Sequence, residues 1–88
     1  MAKLVIKIDN IYGECPVQAE GTINDQPFYF RARGNHWRLE IGSGEDLWVY
    51  RHSYLPDTIF AAGWMSEDEA IAFIVEAAGR WFKGEPTQ

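Results

Sequence analysis

Cysteine and basic residues are scarce in this chain. Its 88 residues include one cysteine, Cys15, so an intramolecular disulfide cannot form and a zinc site would need other ligands. A single thiol is typical of proteins from reducing compartments. The sequence also lacks the continuous apolar run of a signal peptide or of a membrane-spanning helix. These absences predict a soluble cytoplasmic protein without membrane contact.

The shortage of basic residues also bears on the class of partner. Lysine and arginine number 8 against 13 aspartates and glutamates, which gives a formal net charge of -5. Nucleic-acid-binding domains usually carry a basic patch and often a basic pI. The charge therefore disfavours direct nucleic-acid binding and favours a partner protein with a basic surface. An apolar fraction of 47 % with four tryptophans indicates a folded domain.

Motifs for catalysis or for a metal are missing too. Cys15, His36 and His52 lack the close spacing, such as CxxC or HxxxH, that metal ligands show. The glycine-rich segment 42–46 (GSGED) has no lysine and is not a phosphate loop. Its two carboxylates, and those at 67–69, fall in a turn and at a helix start, where solvent keeps them from acid–base work. The sequence thus predicts no enzyme, no cofactor and no metal site.

What the chain does have is alternation of apolar and polar residues with a period of two, which predicts half-buried strands. Gly13 and Pro16 interrupt the pattern after the first strand, and residues 24–27 (NDQP) predict a turn. Whether residues 59–65 add another short strand is left open by the sequence. The predicted strands are 3–9, 17–23, 28–33, 36–41 and 47–52.

The third and fourth strands predict a hairpin closed at Gly34-Asn35, a pair that favours a primed turn. Closing it there sets Phe28 against Ile41, Phe30 against Leu39, and Ala32 against Trp37. Each apolar residue then meets an apolar partner, so the register is consistent and these aromatics are predicted to be core.

The same register places Arg31 directly opposite Arg38, and like charges across a strand pair are unfavourable. A preceding turn at Asp25-Gln26 would bring Glu20 opposite Arg31. Glu40 lies two residues from Arg38 on the same face. We therefore expect a mixed-sign ladder on the outer face of the hairpin.

The C-terminal third predicts one helix. Ser66 followed by Glu69 is the capping-box pattern, and apolar residues recur at three- and four-residue spacing over 70–82. Gly84 predicts the end of the helix, and Gly79 within it suggests close packing. The predicted fold class is α+β: an antiparallel meander of about five strands with one C-terminal α-helix packed on one face. A single domain would span 1–84, with 85–88 as a frayed tail.

The strand 47–52 (LWVYRH) leaves its orientation open. Either Trp48 and Tyr50 face the core, or they stand exposed beside Arg38 in the composition of an interface hot spot. Acidic loops can in addition steer a domain to a basic partner. We therefore predict a non-enzymatic protein-binding domain. The predicted partner-binding residues are Tyr29, Arg31, Arg38, Glu45, Asp46, Trp48 and Tyr50.

Two other functions stay open at this point. Single-stranded nucleic acid could bind to a sheet face bearing Tyr29 and the arginines 31, 33, 38 and 51, since such binders combine basic grooves with aromatics. A small ligand could instead bind between the sheet and the helix. The sequence also leaves open whether the free sheet face forms a homo-oligomer.

The run CPVQAEGTINDQPFYFRARGNHWRLEIG, residues 15–42, resembles a segment of short, uncharacterised bacterial and prophage-type proteins with strand-rich domains closed by one helix. In size, acidity and lack of catalytic motifs, the chain is also similar to phage-encoded inhibitors of the anti-CRISPR kind. The first resemblance implies the same α+β fold. The second implies an inhibitor that blocks a surface of its partner.

Overall fold

The computed structural model describes residues 3–13, 17–33, 36–53 and 66–84. Five strands form one sheet in the order β1-β2-β3-β4-β5, and every neighbouring pair is antiparallel. This confirms the predicted five-stranded meander with one C-terminal helix. The elements are β1 (Ile6–Tyr12), β2 (Val17–Ile23), β3 (Gln26–Arg33), β4 (His36–Ile41), a 3-10 turn (Gly44–Asp46), β5 (Trp48–Ser53) and α1 (Glu67–Phe82).

Several predictions fall outside the described residues. They concern the thiol of Cys15, the turn at Gly34-Asn35, the possible strand at 59–65 and the tail at 85–88. They stay predictions.

One face of the sheet and one face of α1 form the core. Alternate residues of β2 to β5 point to this side, and Trp37, Phe30 and Leu39 among them are at most 1 % exposed. The helix contributes Ala70, Ile74, Ala77 and Ala78 to the same cluster. The ring of Phe73 stacks on Trp37 with centroids 4.9 Å apart, which shows that α1 covers this face.

The hairpin of β3 and β4 has the predicted register. Phe28 pairs with Ile41, Phe30 with Leu39, and Ala32 with Trp37, and all of these residues are buried. Arg31 consequently lies opposite Arg38.

The turn between β2 and β3 differs from the prediction. It is formed by Asn24 and Asp25, whose φ angles of 48° and 67° fit a type I′ turn, and Ile23 pairs with Gln26. The Asn24 side chain also accepts a hydrogen bond from the Val5 N–H at 2.6 Å, which ties the turn to the start of β1. The turn therefore comes one residue earlier than predicted.

This shift changes the partners of the arginine hairpin. Gln18, not Glu20, lies opposite Arg31, and Glu20 lies opposite Tyr29. The prediction that Glu20 relieves the repulsion at Arg31 is therefore wrong.

The first strand runs further than the sequence pattern indicated. Its pairing with β2 jumps between Ile8 and Asn10, so Asp9 forms a β-bulge. The extra residue resets the alternation, and Ile11 joins Ile8 on the core face. The strand thus continues to Tyr12 although the period-two pattern breaks at Asp9.

Candidate functional site

The face of the sheet opposite α1 carries no covering element among residues 3–13, 17–33, 36–53 and 66–84. The antiparallel registers align side chains across this open face in rows. Arg31 pairs with Arg38, and Arg38 pairs in turn with Arg51, so three arginines occupy directly paired positions on three adjacent strands. The full row reads Tyr12, Gln18, Arg31, Arg38 and Arg51 from β1 to β5.

The arginines of this row line a depression of ≈ 410 Å³, which we call the arginine groove; its lining residues are Arg31, Arg33, His36, Arg38 and Arg51. Neighbouring strands lie about 4.8 Å apart, so the backbones of Arg31 and Arg51 are about 10 Å apart. Arginine side chains are long enough to converge across that distance. The groove therefore gathers four of the chain's eight lysines and arginines on one side of the sheet.

Little negative charge compensates the arginine groove. The Nε of Arg38 lies 2.9 Å from Glu40 Oε2, an ion pair at a half-exposed position. Within the described part of the chain, Arg31, Arg33 and Arg51 have no carboxylate within ion-pair distance. The Nε of Arg31 is buried and donates to no acceptor there. Three guanidinium groups thus lack a negatively charged partner among the residues that the structure describes.

This arrangement is unfavourable for the isolated fold. Like charges directly opposite on adjacent strands each cost a few tenths of a kcal/mol to about 1 kcal/mol. The single ion pair to Glu40 returns a similarly small amount, because exposed ion pairs are worth about 0–1 kcal/mol. An anion placed in the groove would remove the repulsion.

A second row, next to the arginines, is polar and forms hydrogen bonds both within itself and to the arginine row. Tyr29 lies on the open face beside Arg31 as predicted, and its hydroxyl donates to Gln18 Oε1 at 2.7 Å. Glu20 Oε1 accepts a longer bond of 3.5 Å from Asn10. Partial desolvation, followed by the charge of Glu20 and the neighbouring Tyr29, raises the pKa of the Tyr12 phenol above its ordinary value.

Trp48 and Tyr50 lie on the opposite side of the sheet from the arginine groove. Their exposed fractions are 7 % and 5 %, and their rings stack with centroids 5.9 Å apart. Tyr50 pairs with Leu39, which fixes its side chain toward the core, and the guanidinium of Arg80 on α1 covers its ring at 5.3 Å. The alternative in which Trp48 and Tyr50 stand exposed beside Arg38 is therefore wrong.

The predicted acidic binding residues are exposed but lie apart from the carboxylates at 67–69. Glu45 and Asp46 form the 3-10 turn before β5, and Asp46 shares a surface depression with Trp81 near the end of α1. The carboxylates at 67–69 occupy the first turn of the same helix. A helix of 16 residues is about 24 Å long. The two acidic groups are thus separated by the length of α1.

Ligand arrangements for a metal are not found among the residues that the structure describes: no three His, Cys, Asp or Glu side chains come together there. His36 lies in the arginine groove, whereas His52 pairs with Trp37 and stacks on its ring on the other side of the sheet. These two histidines therefore do not converge on one ion.

A surface depression of ≈ 350 Å³ lies where the end of α1 meets the sheet, at the kind of position considered for a small ligand. Its lining residues are Asn24, Gln26, Ile41, Gly42, Asp46 and Trp81. One of these side chains is aromatic and three are polar, and the Oδ1 of Asn24 already accepts a hydrogen bond from the Val5 N–H. The arginine groove is the larger and the more strongly charged of the two.

The sequence pointed to Tyr29 and to the arginines 31, 33, 38 and 51, but the inclusion of His36 and the direct pairing of Arg51 with Arg38 became visible only in the structure. The alignment depends on the register of β4 with β5, in which His36 pairs with Ser53 and Arg38 with Arg51. A signal in the sequence could have revealed this register, because it pairs apolar residues with apolar residues: Leu39 with Tyr50, and Ile41 with Trp48.

Comparison of the chain with protein-family models, curated proteins and solved structures gives no match. The resemblance to phage-type proteins therefore stays a prediction. In the part of the chain that the structure covers, the one helix is too short and too charged to cross a bilayer.

Proposed function

We propose that this chain is a non-enzymatic protein-binding domain that binds an acidic region of a partner protein through the arginine groove. The observation that carries the proposal is the direct pairing of Arg31, Arg38 and Arg51 on adjacent strands with a single glutamate partner. A fold that keeps such a repulsive row gains from it only when an anion binds. Locally unfavourable arrangements of this kind are expected at functional sites.

The partner surface in this proposal is acidic, not basic as the net charge suggested. The carboxylates at 45–46 and at 67–69 lie about a helix length apart, so they do not present one continuous acidic surface. The arginines converge in one groove instead. Charge complementarity at the place where charge is most concentrated determines which partner is attracted.

A protein partner fits this chain better than single-stranded nucleic acid. The formal net charge of -5 repels a long polyanion, whereas a localised acidic patch interacts mainly with the groove beside it. Nucleic acid remains the second candidate because Tyr12, 42 % exposed, lies in the same cross-strand row as the three arginines and could stack on a base.

A domain of this type acts by occupying its partner's surface, as an inhibitor does. The contact area available on the open face is limited to the polar rows of a five-stranded sheet. Affinity would therefore depend on a few arginine contacts, which are strong when they are bidentate to carboxylates.

The proposal is tested by affinity capture from nuclease-treated native-host lysate, read by mass spectrometry. Arg38→Glu reverses one charge at the centre of the arginine groove, and Lys7→Glu makes the same charge change on the exposed edge strand β1. We expect a protein that the wild type and Lys7→Glu capture and that Arg38→Glu loses. Capture that is equal in all three, or no capture by the wild type, would contradict the proposal.

A further inference from the structure

We propose that the anion for which the arginine groove is built is a phosphomonoester, carried as a phosphorylated side chain by the acidic segment of the partner. This inference rests on the proposed function and specifies the chemistry of its ligand. Arginine clusters and phosphoryl groups are complementary in both charge and hydrogen-bond geometry.

The first argument is the amount of charge. Arg31, Arg33 and Arg51 lack a carboxylate partner within the described segments, and Arg38 shares its charge with Glu40. One carboxylate brings a single negative charge, whereas a phosphomonoester brings about -1.5 to -2 at neutral pH. A single phosphoryl group would therefore satisfy several guanidinium groups of the row at once.

The second argument is the supply of hydrogen-bond donors. Each guanidinium offers five N–H donors in a planar fork, and a phosphomonoester offers three strong acceptor oxygens. The Nε of Arg31 is buried without an acceptor in the described part of the chain. A buried donor without a partner is unfavourable, so a ligand acceptor that reaches this Nε would gain affinity from it.

The third argument is size. A volume of ≈ 410 Å³ exceeds that of one phosphoryl group, so it admits the group together with the end of the side chain that carries it. Its lining residues within the described segments are four arginines and one histidine. A phosphorylated side chain could enter it while the peptide backbone lies across the sheet.

Nucleic acid offers phosphate in a less suitable form. A phosphodiester carries one negative charge, and successive charges along a strand extend past the groove toward a chain that is acidic overall. The arginines lie together in one groove, and Lys7 lies away from them on β1. Such a groove suits one highly charged group better than a long tract of single charges.

Calorimetry with three synthetic peptides tests the inference. They share one Gly/Ala-rich sequence and carry phosphoserine, glutamate or serine at the central position. We expect the phosphoserine peptide to bind at least about tenfold more tightly than the glutamate peptide, equivalent to about 1.4 kcal/mol. Arg51→Gln should remove most of that preference, and Lys7→Gln, the same charge change on β1, should leave it unchanged.

The outcomes separate this inference from the proposal beneath it. Equal affinity for the phosphoserine and glutamate peptides would overturn the phosphate inference and leave the acidic partner in place. Binding of neither peptide by the wild type would overturn the inference, and an empty lysate capture would then contradict the proposed function as well. A thymidine oligonucleotide that binds more tightly than the phosphoserine peptide would overturn it in favour of nucleic acid.

Discussion

Gly21 illustrates how single residues set the geometry of the sheet. It lies in β2 opposite Phe28 and beside the bulge at Asp9. A Cβ at this position would contact the carbonyl oxygen of Lys7 and would come within 2.9 Å of Phe28 Cε2. The close approach of β1 and of the Phe28 ring therefore requires glycine.

We predict that Gly21→Ala lowers the free energy of unfolding by about 1–3 kcal/mol, because the added methyl group overpacks the sheet. Gly79→Ala is the matched control: its Cβ would meet nothing within 4 Å, so close packing does not explain that glycine. Alanine there should stabilise α1 by up to about 1 kcal/mol. Chemical denaturation of the two variants measures both effects, and equal stability of the variants would contradict this explanation.

At the residue scale, the sequence predicted the core correctly where only one strand register paired apolar residues with apolar residues. Phe28, Phe30 and Trp37 were assigned correctly because only one register pairs all three with apolar residues. Trp48 and Tyr50 were undecided because Leu47 and Val49 form an equally apolar alternate set. Their orientation follows from the register of β5 with β4, and the alternation within β5 alone cannot predict that register.

Among the elements, α1 shows the closest agreement between the local sequence and the structure. The Ser66 hydroxyl accepts a hydrogen bond from the Glu69 N–H at 3.1 Å, and the Glu69 carboxylate accepts one from the Ser66 N–H at 3.2 Å. This is the predicted capping box, and it satisfies donors that the first turn leaves free.

We predict that Ser66→Ala lowers the free energy of unfolding by about 1 kcal/mol through loss of this cap. Ser43→Ala is the control, because Ser43 precedes the 3-10 turn and its side chain makes no capping hydrogen bond. Thermal denaturation followed by circular dichroism compares the two. A loss of stability at Ser43 as large as that at Ser66 would show that the cap is not the cause.

The strands were predicted less evenly than the helix. The β3–β4 register followed from side-chain pairing alone, whereas β1 was ended too early and the β2–β3 turn was placed too late. A bulge inserts one residue and reverses the alternation, so a strict period of two cannot extend through Asp9. The turn depends on positive φ angles at Asn24 and Asp25. Asn and Asp tolerate positive φ but do not require it, so the sequence did not determine where the turn would form.

On the scale of the whole molecule, the distribution of charge matters more than its sum. The chain is acidic overall, yet four of its arginines line one groove on the open face. Net charge indicated a basic partner because it averages over surfaces that a partner meets separately. The groove could not be predicted from composition, since it depends on two consecutive antiparallel registers across β3 to β5.

The central claim is that the arginine row serves binding at a cost to stability, and Arg51→Gln tests it most directly. Arg51 is exposed on β5 opposite Arg38, so glutamine removes one repulsive charge with little change in packing among the described residues. The measurement is paired: urea denaturation for stability, and capture of the partner from nuclease-treated lysate. We predict that the free energy of unfolding rises by about 0.2–1 kcal/mol while capture falls sharply. Lower stability with unchanged capture would contradict the account and make the row a structural feature.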